Sequence, residues 1–127
     1  MDMDLEHEIL ESHKLAAGLD EYIVVAKSIG TVVATLAIKR GLLNPEYCVF
    51  MGFPLKLIVS EVPDMESALP QLPPTHFLHN EHDPLGDADS VKNYLEAHAP
   101  QQYDLLVSPG DTHDYIDFKL ITDLALG

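Results

Sequence analysis

Residues 22 to 32 read YIVVAKSIGTV, and the role given to Ser28 within them decides the fold. An apolar, β-branched run from Tyr22 to Ala26 stops just short of the serine, as a strand buried on both faces does. Thr31 to Arg40 is then apolar nearly all round and ends in Lys39, Arg40 and Gly41, the basic last turn and glycine stop of a buried helix. A serine between strand and helix has two roles open to it. It is the N-cap of the helix, the ordinary use of serine there, or a nucleophile held on a sharp turn.

Working outward, the same alternation repeats. Tyr47 to Met51, Thr75 to His79 and Tyr103 to Val107 read as three more strands. Ala88, Val91, Leu95 and His98 share one helical stripe, with Asp87 near the cap. Residues 4 to 17 form an amphipathic helix through Leu5, Ile9, Leu10, Ala16 and Ala17, stopped by Gly18, and Ile116, Leu120, Ile121 and Leu124 mark a terminal helix. Between the second and third strands, residues 52 to 74 hold five prolines and one short helix near Asp64 to Leu69. Strands separated by long crossovers predict an α/β fold. Crossovers of one hand that never reverse give a four-stranded parallel sheet in sequential order with flanking helices. All 127 residues form a single domain on this reading.

Composition narrows the function. Lys and Arg number 7 against 21 Asp and Glu, a formal charge of −14, with the basic residues scattered. That balance argues against nucleic acid and against anionic membranes as partners. The longest apolar stretches are about ten residues, half of what a bilayer-crossing helix needs. MDMDLEHEILE at the start lacks the features of a signal peptide, and the single cysteine, Cys48, fits a reducing compartment. A cytoplasmic location is the expectation. AKSIGT has a lysine before a serine but none of the glycines of a phosphate-cradling loop, so nucleotide binding is set aside.

Parallel sheets gather chemistry at the C-terminal ends of their strands. Ser28 follows the first strand, HNEHDPLG (79 to 86) the third and SPGDTHDY (108 to 115) the fourth. A serine, an acid and a histidine thus lie past three different strand ends. The order and placement resemble the α/β-hydrolase family, whose nucleophile sits in G-x-S-x-G on a strand–turn–helix, with the acid and histidine following in that order. Ala26 stands at the first glycine, where the elbow crowds the neighbouring strand, and Gly30 at the second. HNEHDP resembles the family's H-G-x-x-D-P turn, with Asn80 at the glycine as the next best residue for a left-handed backbone. PGDTHDY resembles the loop that carries the family's catalytic histidine.

The resemblance implies a hydrolase of carboxylic esters or related acyl bonds, with a small-molecule acyl substrate and no cofactor. Ser28 would be the nucleophile, His113 the general base and Asp83 its acid partner, and the Ile29 N–H one oxyanion donor. It also implies a truncated form, the C-terminal half of the family fold with the first four strands missing. The edge of strand 22–26 would then be open, and an open apolar edge invites association. A homodimer through that edge is the expectation. A non-catalytic module that works through self-assembly or partner binding is the alternative.

Rival readings attach to single residues. Asp87 and Asp89 compete with Asp83 for the acid, Asp87 being more simply a helix cap. Asp111 and Asp114 flank His113, which would suit a surface turn. His76, His79 and His82 suggest a metal site by spacing, but alternation along a strand points His76 and His79 to opposite sides, so no metal is expected. In the 52–74 connection, Phe53 and Leu55 offer apolar surface that either packs on the sheet, the simpler use, or lines the site for a substrate, and His82 lines the site beside Asp83.

Overall fold

The computed structural model describes residues 21 to 98 and 101 to 115. The helices expected over residues 4 to 17 and around Ile116 to Leu124 lie outside those residues. Four strands, β1 (Val24–Lys27), β2 (Cys48–Met51), β3 (Thr75–Asn80) and β4 (Tyr103–Ser108), form one sheet in the order β1-β2-β3-β4. Every pairing is parallel. The helices are α1 (Ile29–Lys39), α2 (Leu55–Glu61), α3 (Met65–Ala68), continued by a 3-10 turn at Leu69–Gln71, and α4 (Ala88–Ala97).

Sequential strands joined by crossovers of one hand place every crossover on the same face of the sheet. The core is built there. Val32, Leu36 and Ala37 of α1, Ile58 of α2, Met65 of α3 and Val91 and Leu95 of α4 meet Cys48, Phe50 and Phe77 from the strands in one buried cluster. Phe77 is the hub, with Phe50, Phe53 and Tyr103 set edge-on around it at 5.7–6.0 Å. The all-round apolarity of α1 is used fully, since Thr31 through Ala37 are all buried. Its two buried threonines satisfy their hydroxyls on backbone carbonyls one turn earlier, Thr31 on Ser28 and Thr35 on Thr31.

Two expectations need correcting. The first strand is not buried on both faces: β1 starts at Val24, Val25 is 43% exposed, and Val24 and Ala26 are half-buried. Among the described residues it lies at the edge of the sheet, with α1 over one face only. The proline-rich connection also holds a full helix, α2, that the sequence reading missed. Pro54 precedes it and Pro63 follows its cap, so these prolines bound the helix rather than exclude it. Its inward residues Leu55 and Ile58, with Val62, Met65, Ala68 and Leu69 beyond, carry this segment into the core.

Candidate functional site

Three loops meet at the C-terminal end of the sheet because each strand's exit is tied to its neighbour. Ser28 N–H donates to Met51 O (2.8 Å), Gly52 N–H to Leu78 O (3.1 Å) and Glu81 N–H to Ser108 O (2.8 Å).

Ser28 occupies φ 54°, ψ −124°, and no other non-glycine described residue has positive φ. Such a conformation costs on the order of 1–3 kcal/mol and persists only where its surroundings enforce it. The turn is tight enough to set Ala26 against the start of α1: a Cβ on Gly30 would lie 3.7 Å from that of Ala26. Ala26 therefore faces the start of its own following helix. Ser28 sits at the N-cap position, yet its side chain makes no cap hydrogen bond. Its Oγ instead lies 2.7 Å from His113 Nε2.

His113 Nδ1 lies 2.6 Å from Asp83 Oδ2. A carboxylate only accepts, so Nδ1 carries the proton and Nε2 is left as the acceptor for the Ser28 hydroxyl. Asp83 is buried, and its Oδ1 also accepts from Leu85 N–H (2.8 Å) and its Oδ2 from Tyr115 Oη (2.8 Å). Burial pushes its carboxyl up, but the hydrogen bonds from His113, Leu85 and Tyr115 outweigh that and hold it below the usual aspartate range. Asp83 is thus an anion facing an imidazole N–H. Ile29 opens α1, so its N–H is among the four that a helix leaves without an intrahelical partner.

The rival residues are accounted for. Asp87 caps α4, accepting from Ser90 N–H at 2.8 Å, and Asp89 lies exposed in that helix's first turn. Asp111 and Asp114 are exposed on either side of His113, whose ring turns inward between them to Asp83. His76, His79 and His82 do not converge. His76 pairs with Asp104 at 2.9 Å, His79 is buried with Nε2 on Gly86 O, and His82 is exposed beside Glu81. Burial pushes the His79 imidazolium down, so that ring is neutral.

Of the three residues expected to contact substrate, two line one cleft and the third does not. Leu55 and His82 line a cleft of about 500 Å³ with Val59, Asp83 and Gly86. Phe53 does not reach it: its ring is 1% exposed and packs on Phe77 and Tyr94 in the core. Leu55, the first residue of α2, is also buried in that cluster but reaches the cleft wall with part of its side chain.

Three residues in the site escaped the sequence reading. Asn80 does not adopt a left-handed backbone; it ends β3, and its side-chain amide donates to Thr112 O and Asp114 O, both at 3.0 Å. One amide group therefore grips the loop on both sides of His113. Gly52, at φ 65°, lies under the rings of Tyr115 and His113, where an added Cβ would be 2.6 Å from Tyr115 Cε2. Tyr115, buried two residues after the histidine, was visible only as an apolar-bodied, polar-tipped residue in a loop.

No protein-family model and no curated protein matches the sequence. Solved structures do match in fold. An α/β hydrolase from the metagenome of sediments of the Mar Chica lagoon, Morocco, superposes with a TM-score of 0.68 at 18% identity, over 89% of this chain and 63% of that one. A cold-adapted esterase from an Arctic intertidal metagenomic library gives 0.67 at 14% identity, over 96% of this chain and 58% of that one. The type II thioesterase BorB from the borrelidin biosynthetic cluster gives 0.67 at 13% identity, over 97% and 70%. The chain thus spans between 58% and 70% of the length of these structures. Among the described residues, no helix is long and apolar enough to cross a membrane. The chain has an α/β-hydrolase-like fold.

Proposed function

We propose that the chain is a serine hydrolase of carboxylic esters or related acyl bonds, with Ser28 as nucleophile. The observation that carries this reading is the continuous hydrogen-bonded path from Ser28 Oγ through His113 to the Asp83 carboxylate, at 2.7 and 2.6 Å. It starts at Ser28, the one serine with positive φ among the described residues. As Ser28 Oγ attacks the acyl carbon, His113 Nε2 takes its proton and becomes an imidazolium beside Asp83. The carbonyl oxygen becomes an oxyanion, and the Ile29 N–H at the start of α1 donates to it. Collapse expels the alcohol or thiol, which takes the proton from His113. Water then repeats the sequence on the acyl-serine and releases the acid.

The partner is a small molecule with an acyl group. Leu55, Val59 and His82 line the cleft next to Asp83 together with Lys56, Asp87 and Ser90, which suits a group of modest size with both apolar and polar parts. A fluorophosphonate probe tests the reading. Covalent labelling of the native chain that disappears in Ser28→Ala supports it; no labelling of a folded native chain sinks it.

A second property belongs with this one. β1 is the edge of the described sheet, with Val25 exposed on it. Pairing of two β1 edges across a two-fold axis gives a homodimer. A monomer by light scattering at micromolar concentration would refute it. The non-catalytic alternative predicts that dimer together with an unreactive Ser28.

A further inference from the structure

Tyr115 Oη lies 2.8 Å from both the Asn80 backbone nitrogen and Asp83 Oδ2. These two partners fix the direction of the hydroxyl. A backbone N–H can only donate, so Tyr115 oxygen accepts from Asn80. A carboxylate can only accept, so the Tyr115 proton points at Asp83. Burial pushes the phenol well above its usual range, so the group remains a protonated donor. Asp83 Oδ2 thereby accepts two hydrogen bonds, one from Tyr115 and one from His113 Nδ1, while Oδ1 accepts the Leu85 N–H. Two donors on one oxygen compete for the same negative charge.

We propose that Tyr115 is a positioning residue for this site: its hydroxyl fixes the Asp83 carboxylate and draws off part of the charge on the oxygen that His113 addresses. The proposal rests on the hydrolase reading for its consequence in catalysis, though not for the contact itself. The ring has a separate part. It stands edge-on to the His113 imidazole, with centroids 5.9 Å apart and planes at 88°, and it fills the space over Gly52. Ring and hydroxyl together set the imidazole in place from one side and its acid partner from the other.

The surroundings isolate the hydroxyl's contribution. His113 faces Ser28 from the elbow, Asp83 from the loop after β3, and Tyr115 from its own loop. The buried His79 of β3 is the other titratable group nearby and is neutral, and Asp111 and Asp114 are the exposed charges on the histidine's own loop. All of these remain when Tyr115→Phe removes one oxygen and keeps the ring.

The test reads the proton on His113 Nδ1 by NMR, assigned by its loss in His113→Gln. In Tyr115→Phe the remaining hydrogen bond takes the whole charge of Oδ2, and the signal moves downfield. With 3-fluorotyrosine placed at 115, a stronger donor, it moves upfield. The second variant decides the matter if the first does not fold. In turnover, Tyr115→Phe lowers kcat about tenfold with KM unchanged, the size expected for one charge-assisted hydrogen bond. A signal that stays in place in both variants, or moves the same way in both, overturns the proposal. The NMR readout needs no turnover. Opposite signal movements in a chain that no fluorophosphonate labels would sink the hydrolase reading and leave the Tyr115 contact standing; labelling with an immobile signal would do the reverse.

Discussion

Gly52→Ala tests whether the site depends on close packing beneath it. Gly52 follows β2 at φ 65°, and an added Cβ would lie 2.6 Å from Tyr115 Cε2 and 3.0 Å from His113 Cε1. Carbon atoms at rest stand about 3.5–4 Å apart, so the Tyr115 ring must retreat by roughly 1 Å. It cannot do so freely, because its hydroxyl is tied to Asp83 and to Asn80 N–H. The methyl therefore pushes both Tyr115 and His113 away from their partners. A misplacement of about 1 Å at the chemistry costs on the order of a hundredfold in rate. The positive φ adds backbone strain of about 1–2 kcal/mol.

Gly41 supplies the matched control. It also has positive φ, 74°, but nothing lies within 4 Å of its added Cβ. Gly41→Ala bears the strain without the collision. The assay is the second-order rate of fluorophosphonate labelling, read beside the melting temperature. Both variants should melt a few degrees lower, and only Gly52→Ala should lose roughly two orders of magnitude in labelling. Native-like labelling of Gly52→Ala, or equal losses in the two variants, would refute the reasoning.

Three further predictions follow from the same geometry. Ser28→Gly relieves the positive φ and should raise stability by about 1 kcal/mol over Ser28→Ala, while both abolish labelling; calorimetry compares them. Asn80→Asp replaces the one nitrogen that makes both hydrogen bonds with an oxygen that faces Thr112 O and Asp114 O, so it should cost about 2 kcal/mol in urea unfolding and slow labelling, whereas Asp114→Asn should do neither. His79 is neutral when folded, its protonation pushed below the ordinary 6.5. The unfolded chain takes up that proton first, so native stability falls as pH drops from 6.5 through the lowered folded value. His79→Gln should flatten that part of the stability profile, and an unchanged slope in acid-titrated denaturation would count against it.

The sheet was legible because its physics is local. Val49, Phe50, Phe77 and their neighbours form short apolar runs that a parallel strand covered by helices requires, and their spacing left only crossovers between them. α4 was legible for the same reason, down to its Asp87 cap. α2 was not, because Pro54 and Pro63 bracket a helix of only seven residues, too short for its period to stand out among prolines. Of the site, Ser28, Asp83 and His113 could be located as residue types at strand ends. Asn80 was misread because the family's glycine suggested a backbone role, whereas its side chain makes two hydrogen bonds more than 30 residues away in sequence. No periodicity reports a contact of that kind. Tyr115 and Gly52 were hidden likewise, each meaningful only in the presence of the other.

What brings Ser28, Asp83 and His113 together is the register of the sheet. Lys27 pairs with Met51, Met51 with Leu78, and Leu78 with Leu106, so one row of residues crosses all four strands. Past that row, β1 and β2 end and each passes its next N–H to the neighbouring strand, Ser28 to Met51 and Gly52 to Leu78. β3 and β4 run two residues further before Glu81 does the same on Ser108. This stagger lifts the acid and histidine loops above the serine, which lets His113 reach down across Gly52 to Ser28. The intervening strand must therefore end in a residue without a side chain, because any Cβ at 52 occupies the path of that ring. The elbow serine and the glycine one strand away are thus two requirements of one geometry: the first turns its side chain up, and the second leaves room for the histidine to meet it.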